Sequence, residues 1–180
     1  HLMQEAAVVL MQGGGFQIYY QPTRAGFVPP PIIETTGQVA DFCRARQAVS
    51  HKSASVPQVA LLLSNESYQE RSNRVYSAWG GEYNGLKGAL FALLEMHYSV
   101  DVLAEHQLQP RLAEYPLVAL PDTTRLTEKF RTALLDYVRN GGSLLLMDLE
   151  SAKLFENELG VSFEGEPQTV QAELGTKTGI

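Results

Sequence analysis

A serine, a carboxylate and two histidines in the second half of the chain are residue types that a nucleophilic hydrolase would use. Ser151 follows Asp148 by three positions, and either His97 or His106 would have to supply the general base. A serine nucleophile of an α/β protein is normally presented on a Gly-x-Ser-x-Gly turn, and the residues around Ser151 do not form that turn. The pattern therefore favours Ser151 or Asp148 as a helix cap, and we assign no catalytic residue.

The remaining histidines and the single cysteine give no metal site. His97 falls on the apolar face of a predicted helix, which is typical of a core or rim residue, whereas His106 and His51 are expected in solvent. No two histidines have the spacing of metal ligands. Cys43 alone excludes an internal disulfide and a multi-cysteine metal site, and its place on a predicted helix favours a packed thiol. We therefore predict neither a metal nor a cofactor.

Two glycine-rich stretches invite comparison with phosphate-binding loops. Gly13-Gly14-Gly15 precedes a predicted strand, which is the wrong order for a phosphate loop, so it is interpreted as a helix stop. The stretch 79–85 does precede a helix, but no Gly-Lys-Ser element follows it. The alternative is a loop packed by Tyr76, Trp79 and Tyr83, whose aromatic rings could equally face a sugar or a neighbouring subunit.

A possible sugar-binding group follows the predicted strand Phe16 to Tyr20. In α/β barrels, residues beyond the carboxyl ends of the strands line the active site. Tyr20 could stack on a pyranose ring, and Gln21 and Arg24 could hydrogen-bond sugar hydroxyls, or the latter two could instead be rim residues that hold the loop. Glycoside hydrolysis needs two carboxylates, and Glu34 is the only acidic residue in 16–34, so this segment cannot supply the pair.

The first 50 residues have the element order of one α/β barrel repeat. The pattern predicts a helix over 4–12, the strand over 16–20, a proline-rich loop, and a helix from Thr35 or Thr36 to about Ala48. About 50 residues cannot close a barrel of some 250. We therefore predict that residues 1–50 are the tail end of a barrel and that residues 51–56 are a linker.

Residues 57–180 alternate apolar runs with amphipathic helices. The predicted strands are 58–63, 99–103, 116–120 and 144–147, and the predicted helices are 83–98, 126–138 and 151–159, with a polar loop over 64–81. Strands joined by packed helices lie parallel in one sheet. The pattern therefore predicts an α/β domain with a flavodoxin-like, doubly wound parallel sheet.

Four segments in this order carry a family resemblance. They are VALLLS at 59–64, YNGLKGALFALLE at 83–95, PLVALPD at 116–122 and LLDYVRNGGSLLLMD at 134–148. Together they resemble the middle domain of family forty-two β-galactosidases, which is called the trimerisation domain and has a class I glutamine-amidotransferase-like fold. The stretch GGGFQIYYQPTRAG at 13–26 is similar to the last barrel strand and loop of related glycoside hydrolases, including α-L-fucosidase-like proteins.

The resemblance implies a module that does not catalyse. In active amidotransferases a cysteine nucleophile lies on a sharp turn after the strand that matches 143–147, and here the turn 147–151 contains no cysteine. The resemblance implies instead a homo-oligomeric assembly module of a glycoside-hydrolase-like protein that meets carbohydrate through its parent. Two alternatives stay open: a carbohydrate-binding module that uses Trp79, and an amidase or peptidase with an unrecognised nucleophile.

Composition limits the remaining partners. The chain has 180 residues, is 44% apolar and contains no run near the roughly 20 apolar residues of a membrane span. Its net charge of -6 and scattered Lys and Arg argue against nucleic acid. Neither terminus has the pattern of a natural end, so we expect an excerpt of a longer protein. The composition predicts a soluble protein and leaves the cytoplasm and the periplasm open as its compartment.

Overall fold

A parallel sheet with helices on both faces forms the centre of the fold. The computed structural model describes residues 1–56, 58–71 and 83–165. Within these ranges the strands are β1 (Val59–Leu62), β2 (Val100–Leu103), β3 (Leu117–Leu120) and β4 (Ser143–Leu146). The helices are α1 (Leu2–Met11), α2 (Pro30–Ser50), α3 (Asn65–Arg71), α4 (Asn84–Glu95), α5 (Glu105–Leu108), α6 (Glu128–Arg139), α7 (Leu149–Lys153) and α8 (Glu156–Leu159), with a 3₁₀ helix at Gln109–Glu114.

The four strands are all parallel and lie in the order β2-β1-β3-β4. Val59 of β1 is paired with Val100 of β2 and with Leu117 of β3, and Leu117 is paired with Ser143 of β4. Every strand therefore ends at the same edge of the sheet. This strand order confirms the prediction of a flavodoxin-like α/β fold.

Each face of the sheet packs against its own helices. On one face Val59 and Leu61 of β1 contact Ala89 and Leu93 of α4. The other face has a larger core, formed by Ala60, Leu62, Leu108, Leu112, Tyr115, Val118, Leu120, Phe130, Leu134, Tyr137 and Phe155. All four residues of β1 are buried, as expected for a central strand that is covered on both sides.

Helix α6 illustrates how the sequence sets an element. The hydroxyl oxygen of Thr127 accepts a hydrogen bond from the backbone N–H of Phe130 at 3.3 Å and caps the helix. Phe130, Leu134 and Tyr137 recur at helical spacing and are buried. The helix ends before Gly141, whose φ of 95° suits glycine. The predicted helix at 126–138 and the glycine stop are thus confirmed.

The predicted strand at 16–20 is wrong, because this segment is paired with no strand in the part of the chain that the structure describes. An extended segment becomes a strand only when its backbone groups bond to a neighbour. Phe16 and Ile18 instead line a cleft against α2. The assignment of residues 1–50 to a barrel tail remains a prediction.

Three further boundaries differ from the predictions. Helix α2 begins at Pro30, and the hydroxyls of Thr35 and Thr36 donate to carbonyls one turn back inside the helix rather than capping it. The polar segment predicted as a loop at 64–81 contains helix α3. The single helix predicted at 151–159 is two short helices, α7 and α8.

The segment 51–56 is hydrogen-bonded at both ends. The hydroxyl of Ser53 lies 3.3 Å and 3.1 Å from the carbonyl oxygens of Leu10 and Met11 at the end of α1. The hydroxyl of Ser55 donates to the carboxylate of Asp101 in β2 at 2.7 Å. Side-chain contacts therefore tie this segment to the helices before it and to the sheet after it.

Among the described residues, no helix is both long and apolar enough to cross a membrane.

Candidate functional site

A row of polar side chains lies along the carboxyl edge of the sheet. Each strand is followed, two residues beyond its end, by a polar residue. In spatial order these are Glu105 after β2, Ser64 after β1, Asp122 after β3 and Asp148 after β4. We call these four residues the edge row. Ligands of doubly wound sheets bind at this edge, so the edge row is the place where chemistry is expected.

Glu105 bonds to the start of helix α3. One carboxylate oxygen accepts from the hydroxyl of Ser64 at 2.7 Å, and the other accepts from the backbone N–H of Asn65 at 3.0 Å. Asn65 is the first residue of α3, whose backbone N–H groups have no partner inside the helix. The carboxylate of Glu105 therefore neutralises the amino end of this helix.

Asp122 bonds to the start of helix α4 in the same way. Its carboxylate accepts from the backbone N–H of Leu86 at 3.2 Å. A Cβ atom at Gly85 would lie 2.2 Å from both carboxylate oxygens, so glycine is needed there for the close approach. Asp122 itself has a φ of 47°, in the left-handed region that aspartate tolerates better than most residues. Arg71 donates to its carbonyl oxygen at 2.9 Å.

Asp148 bonds to the start of helix α7. Its two carboxylate oxygens accept from the backbone N–H of Ser151 at 2.8 Å and from the Ser151 hydroxyl at 2.6 Å. The second of these oxygens also accepts from the backbone N–H of Asp122 at 2.7 Å. Ser151 is fully buried, and its oxygen accepts from the N–H of Thr123 at 3.1 Å. Asp148 is thus the helix cap that the sequence favoured, and Ser151 is buried beneath it.

The crevice between β1 and β3 is closed by Ser67 of α3. The buried hydroxyl oxygen of Ser67 accepts from the backbone N–H groups of Thr124 and Arg125, each at 3.0 Å. The rings of Tyr68 and Tyr83 stack beside it, with centroids 5.3 Å apart. The cavity left at this point, next to Arg71, has a volume of about 10 Å³, enough for about one water molecule.

The buried polar side chains at the described edge are all hydrogen-bonded. Every buried side-chain nitrogen and oxygen within the described ranges has a hydrogen-bond partner. No histidine donates to or accepts from the edge row in that part of the chain, and His97 and His106 are exposed. The placement of His97 on an apolar helix face was wrong, because α4 ends at Glu95 and His97 follows it with a φ of 64°.

The predicted sugar-binding residues are not brought together into a cavity in the described structure. Tyr20, Gln21 and Arg24 lie on an exposed loop between α1 and α2. The cleft beside that loop is lined by Phe16 and Ile18 instead. Trp79 lies outside the described residues, as does Tyr76. The proposed role of Tyr20, Gln21, Arg24 and Trp79 in sugar binding therefore stays a prediction.

The cysteine and the acidic residues form no metal centre in the described ranges. Cys43 is half-buried on α2, where its side chain lines two clefts. No group of three or more His, Cys, Asp or Glu side chains among the described residues is arranged to hold a metal ion. The carboxylates of the edge row are instead used by helix amino ends.

A further cleft lies at the opposite, amino edge of the sheet. It has a volume of about 730 Å³ and lies between the 3₁₀ helix and the end of α6. Its polar lining includes Gln109, Glu114, Asp136 and Asn140. The side-chain amides of Gln109 and Asn140 make no hydrogen bond to other described residues. The sequence reasoning missed this cleft, because it lies between elements whose relative placement no motif records.

The edge row was also missed, although the sequence contained a signal for it. The polar residue recurs two positions after each strand, and parallel pairing places such residues side by side. Glu105 and Asp122 could have been found by aligning the ends of the four apolar runs.

Comparisons with known proteins extend the fold assignment. No protein-family model matches the sequence, and no curated protein sequence matches it either. Among solved structures, α-L-fucosidase isoenzyme 2 from Paenibacillus thiaminolyticus is similar over 81% of this chain, with 21% identity and a TM-score of 0.65. A β-galactosidase from Bifidobacterium adolescentis is similar over 49% of this chain and 38% of its own, with 19% identity and a TM-score of 0.41. The chain spans 21% of the fucosidase chain, and at this identity the likeness shows a shared fold.

Proposed function

We propose that this chain is a non-catalytic assembly module of a glycoside-hydrolase-like protein and that it self-associates. The observation that carries the proposal is the use of the edge row. Three carboxylates, Glu105, Asp122 and Asp148, each bond to the amino end of a different helix. Helix amino ends are the groups that bind substrate anions and oxyanions at such an edge in enzymes. Here each is bonded to a carboxylate of the chain itself.

The chemistry of the edge row supports this reading. A serine nucleophile needs a base that takes its proton, and the hydroxyl of Ser151 donates to Asp148 in a partly buried contact. A carboxylate is a weaker base than the imidazole on which serine nucleophiles usually depend. No imidazole within the described structure adjoins this pair. The amidase alternative therefore has no suitable base next to its candidate nucleophile.

The fold likeness supports the glycoside-hydrolase part of the proposal. The structure that is similar over most of this chain is an α-L-fucosidase about four times as long. A domain of that size within a larger enzyme is consistent with a supporting rather than a catalytic role.

The self-association part rests on exposed apolar side chains at one place. Phe91, Leu94, Met96 and Tyr98, on α4 and just after it, are between 45% and 60% exposed. Phe, Met and Tyr are enriched in protein interfaces, and contiguous apolar surface of this kind marks interaction sites. A second protein surface is the expected cover.

Light scattering over a concentration series, together with turnover assays, tests the proposal. The chain is expected to show a mass above that of the monomer and no hydrolysis of nitrophenyl galactosides, nitrophenyl fucosides or simple amides. Ser151→Ala is the matched variant. If the wild type hydrolyses a substrate and Ser151→Ala abolishes that activity, the non-catalytic proposal is overturned and an amidase or peptidase is supported.

A second candidate function is carbohydrate binding at the amino-edge cleft. Its volume of about 730 Å³ lies within the roughly 300–1,000 Å³ of small-molecule sites. The free amides of Gln109 and Asn140 are suitable partners for sugar hydroxyls. Calorimetric titration with galactosides and fucosides tests this, with Asn140→Ala expected to weaken binding. If sugars quench Trp79 fluorescence and Asn140→Ala leaves their binding unchanged, the segment around Trp79 becomes the expected sugar site instead.

A further inference from the structure

Helix α4 is apolar on more of its surface than one contact can explain. Its only charged residues are Lys87 and Glu95. Ala89 and Leu93 face the sheet and are buried, whereas Phe91 on the other side is 60% exposed. Leu94, on the same side as Phe91, is 48% exposed, and exposed large apolar side chains that lie together mark surfaces that another protein covers. The outer face of α4 is therefore incomplete in the isolated chain.

The residues of this outer face are arranged symmetrically about Phe91. Lys87 precedes it by four positions and Glu95 follows it by four, while Gly88 precedes it by three and Leu94 follows it by three. At 3.6 residues per turn, these five residues lie within about 120° of the helix surface, with Phe91 at the centre. We call them the α4 outer stripe.

Such a stripe is complementary to itself. When two copies of α4 lie antiparallel with a two-fold axis at Phe91, Lys87 of one copy is level with Glu95 of the other. Opposite charges then meet at both ends of the contact, about 6 Å along the helix from the axis. Pairing with a parallel second helix would instead bring like charges to the same level.

The uncharged members of the stripe fit the same arrangement. Gly88 is level with Leu94 of the other copy, and a Cβ atom at Gly88 would meet nothing within 4 Å, so space for a larger neighbour is present. Phe91 meets its own counterpart on the axis, where two aromatic rings can pack against each other. Lys87 and Glu95 are exposed and form no ion pair with other described residues, so both charges are free to pair across the contact.

We propose that the chain forms a two-fold symmetric dimer through an antiparallel contact of α4 with α4 of a second copy. The proposal rests on the proposed function of self-association and names the surface that performs it. Met96 and Tyr98 extend the apolar surface beyond the helix end. A contact of one 12-residue helix with itself is small for a specific interface, so a weak, concentration-dependent dimer is expected.

Charge reversal on the stripe is the test, measured as the dissociation constant by light scattering on the full chain. Lys87→Glu places like charges at both ends of the contact, and Glu95→Lys does the same with the opposite sign. Each is expected to weaken the dimer by about tenfold, since like charges across an interface are unfavourable. The double variant is expected to recover wild-type affinity, and an equimolar mixture of the two single variants is expected to form a mixed dimer. Circular dichroism serves as the folding control, because both residues are exposed.

The outcomes separate this inference from the proposed function. If the wild type associates and both single variants associate equally well, the α4 contact is wrong. Self-association would then take place through another surface. Failure of the double variant and of the mixture to recover would overturn the antiparallel arrangement. A wild-type chain that is monomeric at every concentration would overturn the inference and the proposed function together.

Discussion

Asp122 combines two features that a single substitution can separate. Its left-handed φ of 47° is unfavourable for most side chains, and its carboxylate bonds to the amino end of α4. Two further hydrogen bonds hold Asp122 in place. Its backbone N–H donates to the carboxylate of Asp148, and its carbonyl oxygen accepts from the guanidinium of Arg71. At this residue, local backbone strain is offset by hydrogen bonds to three separate elements.

Replacing Asp122 with alanine is expected to lower the free energy of unfolding by about 1–3 kcal/mol, because both the cap and the tolerance for a left-handed φ are lost. Asp122→Gly loses the cap alone and is expected to cost about 1 kcal/mol less than alanine. Asp122→Asn should lie closest to the wild type, since its side-chain oxygen can still accept. Urea unfolding followed by circular dichroism measures all three. Equal stability of the alanine and glycine variants would contradict the strain argument.

Asp101 gives the molecule a defined response to acid. Burial raises the pKa of its carboxyl, but hydrogen bonds from Tyr115 at 2.6 Å and Ser55, with the charge of Arg111, outweigh burial and lower the pKa below its ordinary value. A group with a lowered pKa contributes stability above its unfolded value, about 3.9, and loses it as pH falls through the folded value. We therefore expect stability to decrease below about pH 4.

Tyr115→Phe tests this contact. It removes a hydrogen bond to a charged carboxylate and is expected to cost about 1.5–3 kcal/mol at pH 7. Because the pKa of Asp101 then rises toward its ordinary value, the loss of stability between neutral pH and pH 3 should be smaller in the variant. Thermal unfolding at several pH values measures the difference. A variant with the same acid dependence as the wild type would exclude Asp101 as its source.

At the scale of elements, apolar patterning predicted the sheet and missed the polar connections. Strand β1 was predicted because its residues form a continuous apolar run, and helices α4 and α6 because apolar residues recur at helical spacing. Helix α3 was missed because its sequence, NESYQER, carries a single large apolar residue. Hydrogen bonds from Ser64 and Ser67 to other elements hold it, and such contacts leave no period in a sequence.

Ser67 is the residue that joins α3 to the connection between β3 and α6. Ser67→Ala removes a buried oxygen that accepts from the N–H groups of Thr124 and Arg125. We expect a loss of about 1–3 kcal/mol in the free energy of unfolding, because buried donors then lack a partner. Glu70→Ala is the matched control on the same helix, since its contact with the Thr124 hydroxyl is exposed, and it should change stability by less than about 0.5 kcal/mol. Equal effects of the two variants would contradict the proposed connection.

At the scale of the whole molecule, the carboxyl edge of the sheet and the outer face of α4 differ in what they leave free. The carboxyl edge is closed by carboxylates that bond to helix amino ends, whereas the outer face of α4 exposes apolar side chains. This difference supports the proposed assembly role. In the sequence, only the lack of a cysteine in the turn 147–151 pointed to a non-catalytic edge. The hydrogen bonds that close the edge were not predicted, because they depend on which side chains the parallel register brings together.

Sedimentation equilibrium of the wild-type chain tests the central claim most directly. The monomer has a mass of 19.8 kDa, and we expect a weight-average mass that rises with concentration toward a defined multiple of that value. A mass that stays at 19.8 kDa at every concentration would contradict the assembly role. The fold would then stand, and carbohydrate binding at the amino-edge cleft would become the leading function.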